Sequence, residues 1–386
     1  MVDISRRAAL AGLCSLPLAG CATLPSSRSA ANVPAGPSLD AIARRSDRRF
    51  GSAVAWNADG TGMSITNPRY ADLVKAECGV VVPENELKWQ SLRPSPDTYN
   101  FKPMDAIAEW ARANGQDLRA HVLLWHRPEW FPEWLNTYDF GATPVREAER
   151  LLGEHIQTVT QRYGSQIKSW DVVNEAIDHD ARKPIETSLS RVMGSPEAVI
   201  DYAFHQAREQ LPDAQLVYND YMSWEPQHEG HVADVLRLLE GMKARGVPCD
   251  ALGIQSHIEM FELDQATGVG VYDEAGWRRF LDEVTGMGYR LVITEFDVKD
   301  TALPADLAAR DAAVADYTRR YFDVMMDYDG MLDDVLVWGM VDAFNWLQYF
   351  EPARRADGLE VRGAPYDNQY RPKPMRGALA DALATS

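Results

Sequence analysis

Two glutamates in this sequence each follow a short apolar run, and such a pair can serve acid-base chemistry. Residues 170–174 lead into Glu175, and residues 291–294 lead into Glu295. A single carboxylate in such a place is more often a helix cap or a solvated loop charge. Two carboxylates that face each other can hydrolyse a glycosidic bond, because one holds a proton for the leaving oxygen while the other stays ionised.

The pattern along the chain predicts a scaffold for this pair. From Phe50 onward, short β-branched runs alternate with amphipathic stretches, and the alternation repeats about eight times, which is typical of an α/β fold of the (β/α)8 TIM-barrel type. We predict strands at residues 50–56, 79–85, 118–126, 167–175, 215–220, 252–257, 290–297 and 335–342. The clearest helices are predicted at residues 103–114, 143–163, 196–211, 274–287 and 305–326.

A barrel of this kind would bring the two glutamates to one place. Active sites of TIM barrels lie at the carboxyl ends of the strands, and the predicted fourth and seventh strands end near Glu175 and Glu295. If the carboxyl groups lie about 5 to 5.5 Å apart, no water fits between them and the configuration is retained. No second composition block indicates an added module, so residues 39–386 are predicted to form a single catalytic domain.

The segments around both glutamates resemble glycoside hydrolase family 10, whose members are mostly endo-β-1,4-xylanases. The resemblance implies that Glu175 is the acid/base, that Glu295 is the nucleophile and that Asn174 contacts the sugar 2-hydroxyl beside the cleaved bond. It also implies that His257 hydrogen-bonds the nucleophile, with Asp297 behind it. These partners would lower the pKa of Glu295, whereas Glu175 needs a raised pKa before attack.

The same resemblance implies a set of substrate-binding residues. The segment with Glu84, Asn85 and Lys88 matches the one that holds sugar hydroxyls on the non-reducing side of the cut. The other residues that the resemblance assigns to substrate binding are His121, Trp125, Asn174, Tyr218, Gln255, Trp338 and Trp346. Among them, Tyr218 is expected on the leaving-group side.

The specificity expected from this resemblance depends on Trp338 and Trp346, which match two tryptophans that wall the sugar site. Indole faces stack on the C–H face of a pyranose. Xylose has no C6 substituent, so a tight wall favours xylan or xylo-oligosaccharides as substrate. A related β-1,4-glucanase or mannanase remains an alternative, as does a non-catalytic surface glycan-binding lipoprotein.

The N-terminal region predicts export. Arg6 and Arg7 precede a short apolar stretch, so that residues 1–20 resemble a twin-arginine signal peptide. The segment ending in Cys21 resembles a lipobox, and an ordinary signal peptide with a chance cysteine is the alternative. Residues 22–38, rich in Ala, Ser and Pro, predict a flexible tether. The expected location is therefore periplasmic or outer-membrane-anchored, or the cell surface.

Two further cysteines, Cys78 and Cys249, form an even pair that would invite a disulfide in an oxidising compartment. Cys78 precedes the predicted second strand and Cys249 precedes the sixth. These strands lie on opposite sides of a barrel, whereas a disulfide needs Cα atoms within about 7 Å. We therefore expect two free thiols.

Composition excludes several other classes of function. The net charge of −18 argues against nucleic-acid binding, because phosphates are neutralised by Lys and Arg. The sequence has neither a glycine-rich nucleotide loop after its first strand nor a Gly-x-Ser-x-Gly elbow, and no cofactor is expected. We interpret His228, Glu229 and His231 as a solvated helix face rather than a metal site, because they lack the HExxH spacing. A monomer is expected.

Overall fold

A computed structural model describes residues 36–385 of the chain. The predicted signal peptide, Cys21 and most of the predicted tether lie outside these residues, so they stay predictions. The first described helix begins at Leu39, where the catalytic domain is predicted to begin.

Parallel strands close into an eight-stranded barrel within the described range. In chain order the strands are β1 (Phe50–Val54), β2 (Val80–Pro83), β3 (Asp117–Ala120), β4 (Leu124–Trp125), β5 (Ile167–Asn174), β6 (Ile177–Asp178), β7 (Lys183–Pro184), β8 (Gln215–Asp220), β9 (Ala251–Ile254), β10 (His257–Glu259), β11 (Arg290–Lys299) and β12 (Leu332–Val337). The ring runs β1, β2, β3, β5, β8, β9, β11 and β12, and β12 pairs with β1 to close it. The predicted TIM barrel is confirmed.

Helices surround this ring. They are α1 (Leu39–Ala43), α2 (Pro68–Glu77), α3 (Trp89–Leu92), α4 (Lys102–Ala113), α5 (Glu133–Asn136), α6 (Pro144–Tyr163), α7 (Ser188–Met193), α8 (Pro196–Gln210), α9 (Glu229–Arg245), α10 (Glu274–Gly286), α11 (Leu307–Met326) and α12 (Pro374–Leu383). The five helices predicted most clearly end within two residues of the observed bounds.

The hydrophobic pattern explains both kinds of element. All residues of β1 and β2 are buried, as expected for strands covered on both faces by side chains and helices. In α4, Met104, Ile107, Ala108 and Ala111 form the one buried face, at the spacing of an amphipathic helix. Proline in its first turn suits the start of a helix, where the missing N–H has no partner to lose.

Several predicted strands are shorter or broken at their carboxyl ends. The strand predicted at 118–126 is interrupted after Ala120, and the one predicted at 252–257 ends at Ile254 before β10 begins. Ser256 between them has φ of 60°, in the left-handed region, which regular strands do not use. Regular strand pairing is thus interrupted at the carboxyl end of the barrel.

The histidines interpreted as a solvated helix face are in fact buried, so that interpretation is wrong. His228 and His231 are 7% and 0% exposed, and His231 Nε2 lies 2.9 Å from Asp220 Oδ1 at the end of β8. The start of α9 packs over the rim of the barrel, a tertiary contact that helical spacing does not reveal.

Cys78 and Cys249 are both free thiols, the first buried and the second partly buried. Among the described helices, none is both long and apolar enough to cross a membrane.

Candidate active site

A cavity of about 1050 Å³ opens at the carboxyl ends of the barrel strands. Most of the predicted site residues lie on its wall: Glu84, Lys88, His121, Trp125, Asn174, Glu175, Gln255, His257, Glu295, Trp338 and Trp346. Segments far apart in sequence therefore supply one site.

Glu295 lies within β11 and is only 5% exposed. Asn219 Nδ2 donates to its Oε1 at 2.8 Å, and His257 Nε2 lies 3.4 Å from its Oε2. Burial by itself raises the pKa of a carboxyl group. For Glu295 the hydrogen bond from His257 and the nearby imidazoles of His121 and His257 outweigh burial, so its pKa is lowered.

His257 is held between two carboxylates. Its Nδ1 lies 2.9 Å from Asp297 Oδ1, and Trp346 Nε1 donates to the other oxygen of Asp297 at 2.8 Å. Burial lowers the pKa of the imidazole, but the charges of Asp297 and Glu295 and their hydrogen bonds raise it to about 9. His257 is therefore an imidazolium at neutral pH and donates from both ring nitrogens.

Glu175 follows β5 directly and has the opposite electrostatic environment. Gln255 Nε2 donates to its Oε1 at 2.8 Å, and Trp125 Nε1 donates to its Oε2 at 3.1 Å. Burial raises its pKa, and the nearby carboxylates add to that effect, although the charge of Arg127 opposes it. One glutamate is thus suited to hold a proton and the other to stay ionised, which is how paired carboxylates divide acid and nucleophile roles.

His121 is oriented by a buried ion pair beneath it. Asp171 Oδ2 lies 3.0 Å from His121 Nδ1, and Arg119 pairs with the same carboxylate through both terminal nitrogens. The Arg119 and Asp171 side chains are at most 2% exposed. This pair fixes the His121 ring, whose Nδ1 is 3.9 Å from Glu295 Oε1.

Lys88 and Glu84 line the cavity beside β2, whereas Asn85 is exposed and does not lie on the wall. Lys88 Nζ donates to Asn85 Oδ1 at 2.9 Å and lies 4.6 Å from the ring centre of Trp125. Burial lowers the pKa of Lys88, and four surrounding glutamates oppose that shift. Asn85 therefore contacts Lys88, which lines the cavity, rather than lining the cavity itself.

Tyr218 does not line the cavity, contrary to expectation. It is fully buried, and its hydroxyl donates to Asp220 and accepts from the backbone N–H of Ala176 at 3.2 Å. Side chains alternate along a strand, so Asn219 points into the barrel while Tyr218 and Asp220 share the other face. Tyr221, just after β8, lines the cavity instead.

The tryptophan walls are anchored by polar and ring contacts. Trp338 meets the His121 ring edge-on with centroids 5.3 Å apart, and Trp346 bonds Asp297. Trp130, which the sequence pattern does not single out, stacks on Trp125 at 4.4 Å with an interplanar angle of 15° and is 41% exposed. These contacts fix the orientation of the indole rings that form the cavity walls.

Asn219 and Arg127 also touch the two glutamates, and sequence reasoning missed their roles. Asn219 Nδ2 lies 2.9 Å from the terminal amide of Asn174 and 2.8 Å from Glu295 Oε1. Asn219 lies near the end of β8, as Asn174 lies at the end of β5. This similar position could have indicated the role of Asn219 from the sequence. Among residues 36–385, no group of three or more His, Cys, Asp or Glu side chains could hold a metal ion.

Comparisons with known proteins agree with this geometry. The model of glycosyl hydrolase family 10 matches residues 38–382. A β-1,4-xylanase of Dictyoglomus thermophilum is 31% identical over 315 residues, which cover 79% of this chain and 82% of the relative. Xylanase 10B of Thermotoga maritima is 28% identical with a TM-score of 0.75, covering 90% of this chain and 98% of that one. Xylanase 10B of Thermotoga petrophila, in complex with xylobiose, is 27% identical with a TM-score of 0.76, covering 91% and 98%.

The pKa of His257 provides a direct test of the arrangement around Glu295. Asp297→Asn removes the nearer carboxylate charge while keeping a similar shape, so the pKa should fall from about 9 by about one to three units. An NMR titration of the histidine ring signals measures this, with His257→Gln to assign the resonance. A value that stays near that of the wild type would contradict the arrangement.

Proposed function

This chain belongs to glycosyl hydrolase family 10, and from that membership we propose that Glu175 is its acid/base and Glu295 its nucleophile. The enzyme is an endo-1,4-β-xylanase that hydrolyses internal β-1,4-xylosidic bonds of xylan with retention of configuration. The observation that carries the assignment of roles is the opposite direction of the pKa shifts of two glutamates on one cavity wall, Glu295 buried and Glu175 partly exposed.

In the first step, a carboxylate oxygen of Glu295 attacks the anomeric carbon. The bond from that carbon to the leaving sugar breaks, and the proton of Glu175 moves to the leaving oxygen. The imidazolium of His257 and the amide of Asn219 hold Glu295 ionised and oriented. A glycosyl ester of Glu295 is formed.

In the second step, water attacks the anomeric carbon and gives its proton to Glu175, and the ester bond to Glu295 breaks. Glu175 must now act as a base, although it acted as an acid before. The negative charge of Glu295 raises the pKa of Glu175 in the free enzyme. Esterification removes that charge, so the pKa of Glu175 falls when a base is needed.

Substrate preference is supported by the relatives and by the walls of the site. Two structurally similar xylanases were solved in complex with xylobiose and with xylopentaose. We propose that xylosyl residues bind in the cavity of this chain to the residues Glu84, Lys88, Trp125, Trp338 and Trp346. A non-catalytic lipoprotein is not favoured, since both glutamates keep their hydrogen-bonded partners. A glucanase or mannanase would need space beside the walls for a C6 substituent.

Parallel assays on xylan, β-glucan and mannan test the substrate. The purified enzyme should release reducing ends fastest from xylan, because xylose presents no C6 group to Trp338 and Trp346. Faster release from β-glucan or mannan at equal concentration would overturn the assignment.

Substitution of each glutamate separates the proposed roles. Glu295→Ala should be nearly inactive, because it loses the covalent step, which is worth many orders of magnitude in rate. Glu175→Ala should still react with an aryl xylobioside that has a good leaving group, and azide should restore turnover with a β-glycosyl azide as product. Glu109→Ala, on the exposed outer face of α4, is the matched control and should keep wild-type rates. An α-glycosyl azide would contradict the role of Glu175.

We further propose that residues 1–20 direct export, that Cys21 carries a lipid and that the mature enzyme is a monomer. Arg6 and Arg7 before a short apolar stretch support export, and the residues up to Cys21 support lipidation. Mass spectrometry of the membrane-extracted protein should find an N-terminal acylated Cys21. Gel filtration should give the apparent mass of a single chain. An unmodified protein in the soluble fraction would contradict the anchor.

A further inference from the structure

We propose that Arg127 is a positioning residue that aims the carboxyl group of Glu175 at the substrate and sets the pH range in which this group can exchange its proton. The inference rests on the proposed function, since it concerns how Glu175 performs as acid and base. Arg127 follows β4, lines the cavity and is 18% exposed.

The guanidinium of Arg127 first holds the backbone around Glu175. Glu175 has φ of 49°, a left-handed conformation that a residue with a side chain keeps only when its surroundings impose it. Arg127 Nε donates to the carbonyl of Glu175 at 3.2 Å, and Nη2 donates to the carbonyl of Ile177 at 3.0 Å. The two bonds clamp the chain where it turns from β5 into the loop.

The same guanidinium also reaches the carboxyl group of Glu175. Arg127 Nε lies 3.3 Å from Glu175 Oε2, the oxygen that also accepts from Trp125 Nε1. Gln255 holds the other oxygen. Arg127 is the charged member of this set, and an arginine side chain stays charged throughout the neutral pH range.

Arg127 also connects the acid/base to Tyr221, which follows the neighbouring strand β8. Its Nη2 donates to Tyr221 Oη at 3.1 Å, and the Tyr221 ring stacks on the buried His231 at 4.3 Å. Tyr221 follows β8, which pairs with β5 on the side away from β3. The position of Glu175 is thereby tied to the part of the cavity wall that follows β8.

These contacts matter because Glu175 must be protonated in one step and ionised in the next. Asp220 and Glu295 favour the protonated form, while Arg127 and Lys88 favour the ionised form, and Tyr221 stands beside it as a neutral phenol. Arg127 thus counteracts burial and makes Glu175 a better base for the water of the second step. Without this charge, the proton would stay on Glu175 to a higher pH.

The test compares the pH dependence of kcat/KM on xylotetraose in the wild type, Arg127→Met and Arg127→Lys. In Arg127→Met the alkaline limb should move up by about one pH unit, since a nearby opposite charge lowers a carboxyl pKa by one unit or more. Arg127→Lys keeps the charge but loses the planar set of guanidinium donors. The alkaline limb should therefore stay close to that of the wild type while kcat falls. Arg150→Met, which removes an exposed charge from α6, is the matched control and should match the wild type.

Carbon-13 NMR of glutamate-labelled enzyme measures the pKa of Glu175 without relying on turnover, with Glu175→Gln to assign the signal. An upward shift in Arg127→Met with none in Arg150→Met supports the proposal. Equal pKa values and equal alkaline limbs in wild type and Arg127→Met would overturn it. If Arg127→Met fails to fold by circular dichroism, Arg127→Gln removes the charge and keeps a donor for the carbonyls. A wild type that leaves xylotetraose intact would refute the proposed function, and the NMR titration would still decide the role of Arg127.

Discussion

Glu295 is a carboxylate with 5% of its surface exposed, and the site is built around keeping it ionised there. A buried charge is costly unless it is paired and hydrogen-bonded. His257 and Asn219 satisfy its two oxygens, and Asp297 on the other side of His257 helps to keep the imidazole a cation. Trp346 in turn fixes Asp297, so that a wall of the cavity and the charge of Glu295 depend on one chain of contacts.

Glu175 has the complementary problem, because it must change protonation within each cycle. Burial and the charge of Glu295 favour the proton, whereas Arg127 opposes it. Amide and indole donors from Gln255 and Trp125 orient the group without adding charge. Two carboxyl groups in one cavity thus differ in pKa through their neighbours rather than through their chemistry.

Which residue of a strand faces the site depends on the alternation of side chains along that strand. Tyr218 and Asn219 are adjacent in sequence, and the resemblance selected the tyrosine for the leaving-group side. Because the side chains of β8 alternate, Asn219 reaches Glu295 and Tyr218 is buried against Asp220. His228 and His231 were misjudged for a related reason, since helical spacing describes one helix and not what it packs against.

The sequence by itself determined the βα alternation, the bounds of the main helices within two residues, and the placing of Glu175 just after β5 and of Glu295 in β11. These features are local, because burial pattern and turn residues repeat along the chain. Tertiary structure decided which neighbours touch those glutamates, including Arg127 and Asn219. It also decided that Tyr218, His228 and His231 are buried. The pKa of each glutamate depends on charges contributed by other strands, and their distances are set only when the barrel closes.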